Sequence, residues 1–268
     1  MLRRLGSLPT AARAAAAAGG ATLFFATSGS ALCSSSPTYE LRYFDGRGAV
    51  ETTRLLMALS GTPFVDTKWA MDMSRPYGQR CVGFMAAKAS GSLVANLDRA
   101  PILIVDGTHE IGESKAIERF VARRVGLFGR DDIEGASIDA FCEHIRDLKQ
   151  MFASAEDKPK FAKETLPTML KKMETKAAAA SGGGDSSAAA LVGQALSLAD
   201  VALYELLHEH FPARQAYLRG KGAGGGDVDI SPDALLRDCP RLSAAVAAVK
   251  EHPGVAKHLA TRSYTAPW

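Results

Sequence analysis

The sequence has 268 residues, 47% of them hydrophobic and 23% charged, which is enough apolar material for a buried core and excludes disorder as the main state. Its 32 basic and 29 acidic residues give a formal charge of +3, and Arg3, Arg4 and Arg13 account for that excess. Because the remainder is neutral, it lacks the field that would hold nucleic acid or an anionic membrane, and we expect neither as a partner.

Residues 1–37 have the composition of a targeting segment and precede the predicted fold. They combine the three arginines with a run of alanines and a run of serines, and they contain no acidic residue. This composition is typical of an organelle transit peptide, so we expect cleavage and favour the mitochondrion. A secretory signal or a plastid destination is the alternative, because the stretch 14–33 is uncharged. That stretch is a weak candidate for a membrane span, and we expect no stable span after processing.

From residue 38 the pattern becomes that of a small α/β unit. A β-strand is predicted at 40–44, followed by an amphipathic helix that ends at Gly61, a natural helix C-cap. A second strand is predicted at 63–69. The connection that follows, 71–99, shows only a weak helical pattern.

Residues 101–105 form the clearest strand pattern in the chain. Asp106-Gly107 then predicts a tight turn into a short partner strand at 109–111, because this dipeptide favours hairpin turns. A helix is predicted from Ser114 to Arg124, with two arginines at its C-terminal end, where they complement the helix dipole. The order β-α-β, long connection, β-β-α defines a first domain at 38–124.

Beyond a linker at 125–133, only helical spacing of apolar residues is found, so 134–268 is predicted to be an all-helical domain. Pro167 should kink or interrupt one of these helices. The low-complexity tracts 177–190 and 219–229 are predicted to be surface loops.

Three motifs in the helical half have structural interpretations. Ser197 and Asp200 have the S-x-x-D spacing of a capping box and predict a helix start. His208 and His210 point about 200° apart on an α-helix, so they cannot bind one metal ion together and are predicted to be solvated. The pattern G-x-G-x-x-G that begins at Gly220 lacks a preceding strand and a following helix, and we interpret it as a chance match.

The four cysteines, Cys33, Cys81, Cys142 and Cys239, are scattered without a C-x-x-C pair. This spacing predicts neither a zinc site nor a disulfide framework. For a chain of this length, a reducing compartment is the simpler interpretation.

Three places in the first domain could carry chemistry. Tyr43 lies at the C-terminal end of the first strand, where open α/β sheets place their ligands, and Tyr39 on the same face is an internal control. Glu113 and Ser114 begin a helix whose free N–H groups can hold a carboxylate. A cis Ala100–Pro101 bond would expose backbone groups to a ligand. Each place, taken alone, has a commoner structural explanation: packing for the tyrosine, an ordinary N-cap for the serine, and a trans bond for the proline.

Five stretches of the sequence stand out together. These are YELRYFDGRGAVETTR (39–54), APILIVDG (100–107), GESKAIERF (112–120), LADVALY (198–204), and CPRL (239–242) with HPGV (252–255). In this order they resemble the motifs of cytosolic glutathione transferases, in particular the sigma class and the related alpha, mu and pi classes, and the resemblance covers roughly 38–262.

The resemblance implies a thioredoxin-like N-terminal domain, an all-α C-terminal domain, and a pocket between them for a small hydrophobic electrophile, as in detoxification. It implies glutathione as co-substrate, no metal, a homodimer, and a Tyr43 hydroxyl that hydrogen-bonds the glutathione sulfur. Ala100 would pair with the glutathione backbone, Glu113 and Ser114 would hold the γ-glutamyl end, and Trp69 would contact the glycyl end. The full implied glutathione-binding set is Tyr43, Trp69, Arg99, Ala100, Pro101, Glu113, Ser114 and, lent across the dimer, Asp147.

The sequence departs from the family pattern inside this site. Ala49 stands where many sigma-class members carry Arg, with Arg47 nearby, and Glu113 stands where they usually carry Gln. Two alternatives therefore stay open: a non-catalytic ligand-binding or structural member, as some lens crystallins are, or a glutathione-dependent isomerase or peroxidase. A thiol–disulfide enzyme is disfavoured, because no cysteine follows the first strand in the position that a glutaredoxin-like nucleophile needs.

Overall fold

The computed structural model describes residues 36–180, 189–220 and 229–264. Residues 1–35 of the predicted targeting segment, with Cys33, the interiors of both low-complexity tracts, and Gly222 and Gly225 of the glycine pattern lie outside the described residues. In the described part, a mixed four-stranded sheet flanked by helices is followed by helices alone. The predicted fold class, a thioredoxin-like domain followed by an all-α domain, is confirmed.

The sheet has the strand order β2-β1-β3-β4. The strands are β1 (Tyr39–Phe44), β2 (Val65–Trp69), β3 (Ile102–Val105) and β4 (His109–Gly112). β1 pairs with β2 in parallel and with β3 in antiparallel orientation, and β3 and β4 form the predicted hairpin. Tyr43 therefore lies near the end of a central strand, opposite Lys68 of β2.

Helices cover both faces of this sheet. Because successive side chains of a strand point to opposite faces, Leu103 packs into the main core beneath α1 (Glu51–Ser60) and α3 (Ser114–Arg124). Its neighbours in β3, Ile102 and Ile104, pack instead into a smaller cluster beside α2 (Val82–Ala89). The predicted C-cap of α1 is confirmed, since Gly61 adopts a left-handed φ of 67°.

The second half of the described chain contains helices and their connections. These helices are α4 (Asp132–Ser154), α5 (Lys158–Lys160), α6 (Leu166–Ala180), α7 (Leu198–Tyr204), α8 (Phe211–Gly220), α9 (Pro232–Leu235), α10 (Pro240–Glu251) and α11 (Pro253–Thr261). Both α7 and α11 pack against α1. The helical half is therefore docked on the helix that follows β1, close to the end of that strand.

Two helical segments differ from the sequence expectation. Pro167 does not break its helix, because a π-helical turn, Phe161–Thr165, joins α5 directly to α6. The wider turn accommodates a residue that lacks an N–H and crowds the preceding turn. The prediction of a loop from residue 177 is wrong for residues 177–180: α6 continues through Ala180, since alanine is the best helix former, and Ala177 is fully buried.

The capping box at Ser197 and Asp200 is confirmed. The Ser197 N–H and hydroxyl both donate to Asp200 Oδ2, at 2.8 and 2.7 Å, and the N–H of Leu191 donates to Oδ1 at 2.8 Å. Burial raises the pKa of Asp200 to about 6, although these three donors favour its ionised form. One carboxylate thus fixes both the start of α7 and the segment that precedes it.

Candidate active site

Tyr43 and Tyr39 lie on the same face of β1 in different surroundings. Tyr39 is only 5% exposed and packs within the main core, while Tyr43, four residues later, is half-buried and lines a cavity. Position along the strand explains the difference, since Tyr43 comes next to last before β1 ends and the chain turns towards α1. Of the two tyrosines, Tyr43 is therefore the one placed for chemistry.

The turn after β1 holds the Tyr43 hydroxyl by a backbone hydrogen bond. The N–H of Ala49 donates to Tyr43 Oη at 3.1 Å. The preceding residue, Gly48, has a φ of +45°, and a Cβ built on it would lie 2.6 Å from Oη. Only glycine lets the backbone approach the phenol this closely. The Ala49 N–H occupies a lone pair of the hydroxyl oxygen and does not use its proton. The Tyr43 hydroxyl can therefore still donate that proton to a ligand.

Burial raises the pKa of the Tyr43 hydroxyl above its ordinary value, and the Ala49 N–H and the charge of Arg54 only partly oppose this. The phenol is consequently protonated at neutral pH. The site therefore offers a fixed hydrogen-bond donor rather than a base.

Arg54, on α1, anchors the same turn from below. It is fully buried, and its Nη1 donates to the carbonyl of Gly46 at 2.6 Å. Its Nε and Nη2 form a two-pronged ion pair with Asp66 of β2, at 3.0 and 3.1 Å. Its planar fork thus ties the turn to β2.

A buried carboxylate joins this anchor to the C-terminal segment. Glu51 is fully buried. Its carboxylate accepts hydrogen bonds from Arg262 Nη1 at 2.5 Å and from the Tyr264 hydroxyl at 2.7 Å, and it lies 3.1 Å from His258 Nε2. Burial opposes ionisation of Glu51, but the hydrogen bonds from His258 and Tyr264 and the charge of Arg262 outweigh it and lower the pKa to about 2.

A second buried carboxylate, Glu209, links the two halves of the protein. Arg262 Nη2 lies 2.9 Å from both of its carboxylate oxygens, and Arg47 Nε lies 2.9 Å from Oε2. Arg47 is thus held by the helical half. Glu51, Glu209 and Arg262 were not predicted as site residues, because partners separated by 53 to 211 positions leave no spacing signal in the sequence.

Two cavities meet at the Gly46–Ala49 turn. We call the first the aromatic cavity; its volume is about 320 Å³. It is lined by Tyr43, Phe44, Gly46, Gly48, Met71, Tyr77, Gly78, Arg80, Cys81, Phe84 and Met85. The second, which we call the charged cleft, has a volume of about 340 Å³. It is lined by Arg47, Gly48, Ala49, Ser114, Lys115, Lys149, Glu205, Glu209, His210, Ala213 and Arg214.

Charges of both signs face the charged cleft. Lys149 pairs with Glu205, and Arg47 pairs with Glu209. Lys115 pairs at 2.7 Å with Glu118, a neighbouring carboxylate that is only 2% exposed. Such a lining can satisfy a ligand that carries both an anionic and a cationic group.

The start of α3 presents Ser114 to this cleft on a strained backbone. Glu113, immediately before it, has a φ of 64° and a ψ of 115°, a combination that is costly for a side chain other than glycine. The Glu113 carboxylate is exposed, and its Oε1 lies 2.5 Å from Arg99 Nη2. The first N–H groups of α3 thus remain available for an external acceptor.

The other residues implied by the resemblance line neither cavity. The Ala100–Pro101 bond is cis. Trp69 packs against Phe44 and Phe84, with ring centroids 6.1 and 5.7 Å apart. Asp147 is exposed on α4. Of the implied set, Tyr43 and Ser114 are therefore placed at adjoining cavities, while Trp69 serves an aromatic cluster within the chain.

The prediction that His208 and His210 are solvated is wrong. Both lie in the π-helical segment Glu205–His210 and are half-buried. His208 stacks on Tyr204, with ring centroids 4.8 Å apart, and His210 lines the charged cleft. Burial lowers the pKa of His210 to about 4, so its imidazole is neutral at physiological pH.

Two kinds of feature are absent from the described ranges. Among those residues, no helix is both long and apolar enough to cross a membrane. In the same ranges, no three His, Cys, Asp or Glu side chains are grouped so as to hold a metal ion. Cys81, Cys142 and Cys239 are buried free thiols.

Comparison with known proteins gives consistent matches. A family model described as the C-terminal domain of glutathione S-transferase matches residues 144–262. Glutathione S-transferase A3 of Mus musculus is 32% identical over 173 residues, which cover 63% of this chain and 72% of that protein. Glutathione S-transferase alpha-5 of Rattus norvegicus is 29% identical over 236 residues, covering 85% and 91%. The structure of the Pi-class glutathione S-transferase of Onchocerca volvulus superposes with a TM-score of 0.61 at 26% identity, covering 84% and 93%.

Proposed function

The chain belongs to the glutathione S-transferase family and is a glutathione transferase, and from this premise we propose that the Tyr43 hydroxyl stabilises the glutathione thiolate for attack on small hydrophobic electrophiles. One observation carries the proposal: the Tyr43 oxygen accepts the Ala49 N–H at the edge of a cavity and so keeps its proton for a ligand.

The proposal meets the energetic need of the reaction. A free thiol with a pKa of about 8.5 is only a few per cent ionised at neutral pH. A donor aimed at the sulfur favours the thiolate, and each unit by which the pKa falls requires about 1.4 kcal/mol of preferential stabilisation. A hydrogen bond to a charged group contributes about 1.5–3 kcal/mol, which suffices for one to two units.

The step itself needs no redox partner. With an aryl chloride, the thiolate sulfur supplies an electron pair to the carbon that bears chlorine, the C–S bond forms, and the C–Cl bond breaks. Chloride leaves with its electron pair, and the thiol proton has already passed to solvent. Tyr43 keeps its own proton throughout, in keeping with the raised pKa of its hydroxyl.

For glutathione itself, we propose that the γ-glutamyl end lies at the start of α3. Its α-carboxylate would accept the N–H groups and hydroxyl at Ser114, where the helix dipole favours an anion. Its α-ammonium would face acidic groups, to which Asp147 of a second subunit would add if the protein is a homodimer. We further propose that glutathione is also bound by the remaining residues to which the resemblance gives this role in the same subunit, namely Trp69, Arg99, Ala100, Pro101 and Glu113.

Ala49 bears on how the thiolate is supported. It presents no charged group at the edge of the charged cleft, and Arg47 is already held by Glu209. We therefore propose that the Tyr43 hydroxyl is the main donor to the sulfur. On the basis of this tyrosine we also propose that the protein belongs with the alpha, mu, pi and sigma classes, and most closely with the sigma class.

Targeting to the mitochondrion is a separate proposal, which rests on the composition of residues 1–37.

The test is turnover of 1-chloro-2,4-dinitrobenzene with glutathione by the wild type, Tyr43→Phe and the matched control Tyr39→Phe. We expect Tyr43→Phe to lower kcat/KM by about 10- to 100-fold, equivalent to a lost hydrogen bond to a charged group. Tyr39→Phe should retain the wild-type value, because its ring packs in the core. An unchanged kcat/KM in Tyr43→Phe would refute the proposal.

The same assays separate the alternatives. Retention on immobilised glutathione without any turnover would indicate a non-catalytic member. Turnover of a peroxide or of an isomerisable substrate, with none of the aryl chloride, would keep the glutathione site and change the reaction assigned to it.

A further inference from the structure

The aromatic cavity belongs entirely to the first domain. Every described residue that lines it lies between Tyr43 and Met85, either in β1 and the turn after it or in the segment between β2 and β3 that contains α2. The helical half contributes none of these lining residues. The cavity beside Tyr43 thus differs from the pocket between the two domains that the family resemblance led us to expect.

Aromatic rings and thioethers form its wall. The ring of Phe44 lies 5.0 Å, centroid to centroid, from those of both Tyr43 and Phe84. Met71 and Met85 complete the apolar lining. Ring edges and polarisable sulfur atoms favour a flat aromatic ligand.

One cation at this cavity has no anionic partner among the described residues. Arg80 makes no ion pair within residues 36–180, 189–220 and 229–264, and its guanidinium lies 5.9 Å from the centre of the Tyr77 ring. The acidic residue of the same loop, Asp72, is already engaged by Ser74 and Arg75. The positive charge of Arg80 is therefore left for a ligand.

The backbone of the loop holds Arg80 in place. Its Nε donates to the carbonyl of Arg75 at 3.0 Å, and its own carbonyl accepts the N–H of Asp72 at 2.7 Å. These bonds leave the two terminal guanidinium nitrogens as donors. A planar fork of this kind matches the two oxygens of a carboxylate, to which it can donate two parallel hydrogen bonds.

Resting on the proposed function, we propose that the aromatic cavity is the electrophile site and that Arg80 selects flat aromatic electrophiles that carry a carboxylate. The ring lies among Phe44, Phe84 and the methionines, its reactive carbon faces the thiolate held by Tyr43, and its carboxylate pairs with Arg80. The bond changes are those given above, with the carboxylate unchanged by the reaction.

A matched pair of electrophiles tests this assignment. 2-Chloro-1,3-dinitrobenzene and 4-chloro-3,5-dinitrobenzoate share the leaving group, both ortho nitro groups and the chemistry, and the second adds a carboxylate. KM for each electrophile and for glutathione is measured in the wild type, Arg80→Met and Arg80→Glu. The control variant is Lys88→Met, which removes an exposed cation of α2 that does not line the cavity.

We expect Arg80→Met to raise KM for the benzoate at least ~10-fold, equivalent to about 1.4 kcal/mol, and to leave KM for the neutral electrophile within ~2-fold. Arg80→Glu should raise KM for the benzoate further, and Lys88→Met should change neither value. Equal effects of Arg80→Met on both electrophiles would overturn the inference. A raised KM for glutathione instead would also overturn it, because Arg80 would then bind the glycyl carboxylate.

Binding of unreactive 3,5-dinitrobenzoate, measured by calorimetry, separates this inference from the proposed function. If the wild type binds it and Arg80→Met does not, while neither electrophile is turned over, the cavity assignment holds and the catalytic proposal fails. If both electrophiles are turned over and binding does not depend on Arg80, the catalytic proposal holds and the inference fails.

Discussion

The N–H of Ala49 donates to the hydroxyl oxygen of Tyr43 at 3.1 Å. This bond fixes the position of the Tyr43 hydroxyl without using its proton. The hydrogen-bond donor that the reaction needs is therefore in place before glutathione binds. Preorganised donors of this kind need no rearrangement when charge develops on the ligand. The turn that carries Ala49 is consequently as much a part of the site as the phenol.

Gly48→Ala should therefore impair catalysis. The added Cβ would lie 2.6 Å from Tyr43 Oη, and the φ of +45° is unfavourable for alanine, so either the turn or the phenol must move. We expect kcat/KM for the aryl chloride to fall by about 10-fold or more, since a misplaced donor loses most of its effect. The measurement is steady-state kinetics, with thermal unfolding as a check on folding.

Gly107→Ala is the matched control for this variant. Gly107, in the β3–β4 turn, also has a positive φ, of 69°, but no atom lies within 4 Å of the Cβ that would be added. It should lower stability and leave kcat/KM unchanged. Equal losses of activity in the two variants would indicate that destabilisation, rather than displacement of the phenol, explains the effect.

Glu51 should make stability depend on acid pH. Its folded-state pKa of about 2 lies below the unfolded value of about 4.3, so the ionised carboxylate stabilises the fold above pH ~4.3 and loses this effect as the pH falls towards 2. The difference corresponds to about 3 kcal/mol. Urea unfolding between pH 2 and 7 should show this loss in the wild type and not in Glu51→Gln.

At neutral pH, Glu51→Gln should already be less stable than the wild type, because Arg54 and Arg262 would remain buried with one anion fewer. If the free energy of unfolding falls with the same slope below pH 4 in both proteins, Glu51 is not the cause of the loss of stability in acid.

Ser197→Ala should destabilise the protein without changing its chemistry. Loss of the capping box at α7 costs about 1 kcal/mol, and more where the cap is buried, as Ser197 is. Ser231→Ala is the comparison. Ser231 is an exposed N-cap of the four-residue helix α9, and its hydroxyl accepts only a 3.3 Å hydrogen bond from the N–H of Ala234. Urea midpoints should fall more for Ser197→Ala than for Ser231→Ala; the reverse order would contradict this assignment.

Local signals predicted most of the fold. The strand end at Phe44, the cap at Gly61, the hairpin after Val105 and the box at Ser197 each follow from a few neighbouring residues, and each is found. Pro167 and the π-helical segments were not predicted in this form, because the tertiary packing that decides how a helix absorbs a proline leaves no mark on nearby sequence.

The site was only partly accessible to sequence reasoning. Tyr43 and Ser114 could be singled out because they stand at element ends, where ligands bind. The ion pairs of Glu51 and Glu209 with Arg262 join distant parts of the chain. Arg80 carried no motif, and its significance emerges only when the segment between β2 and β3 is folded beside Tyr43.

The most direct measurement is the pKa of the glutathione thiol in its complex with the protein, obtained from the ultraviolet absorbance of the thiolate as a function of pH. In the wild type we predict a value at least one unit below that of a free thiol, about 8.5, and in Tyr43→Phe a return towards the free value. The same pKa in both proteins would contradict the role assigned to Tyr43.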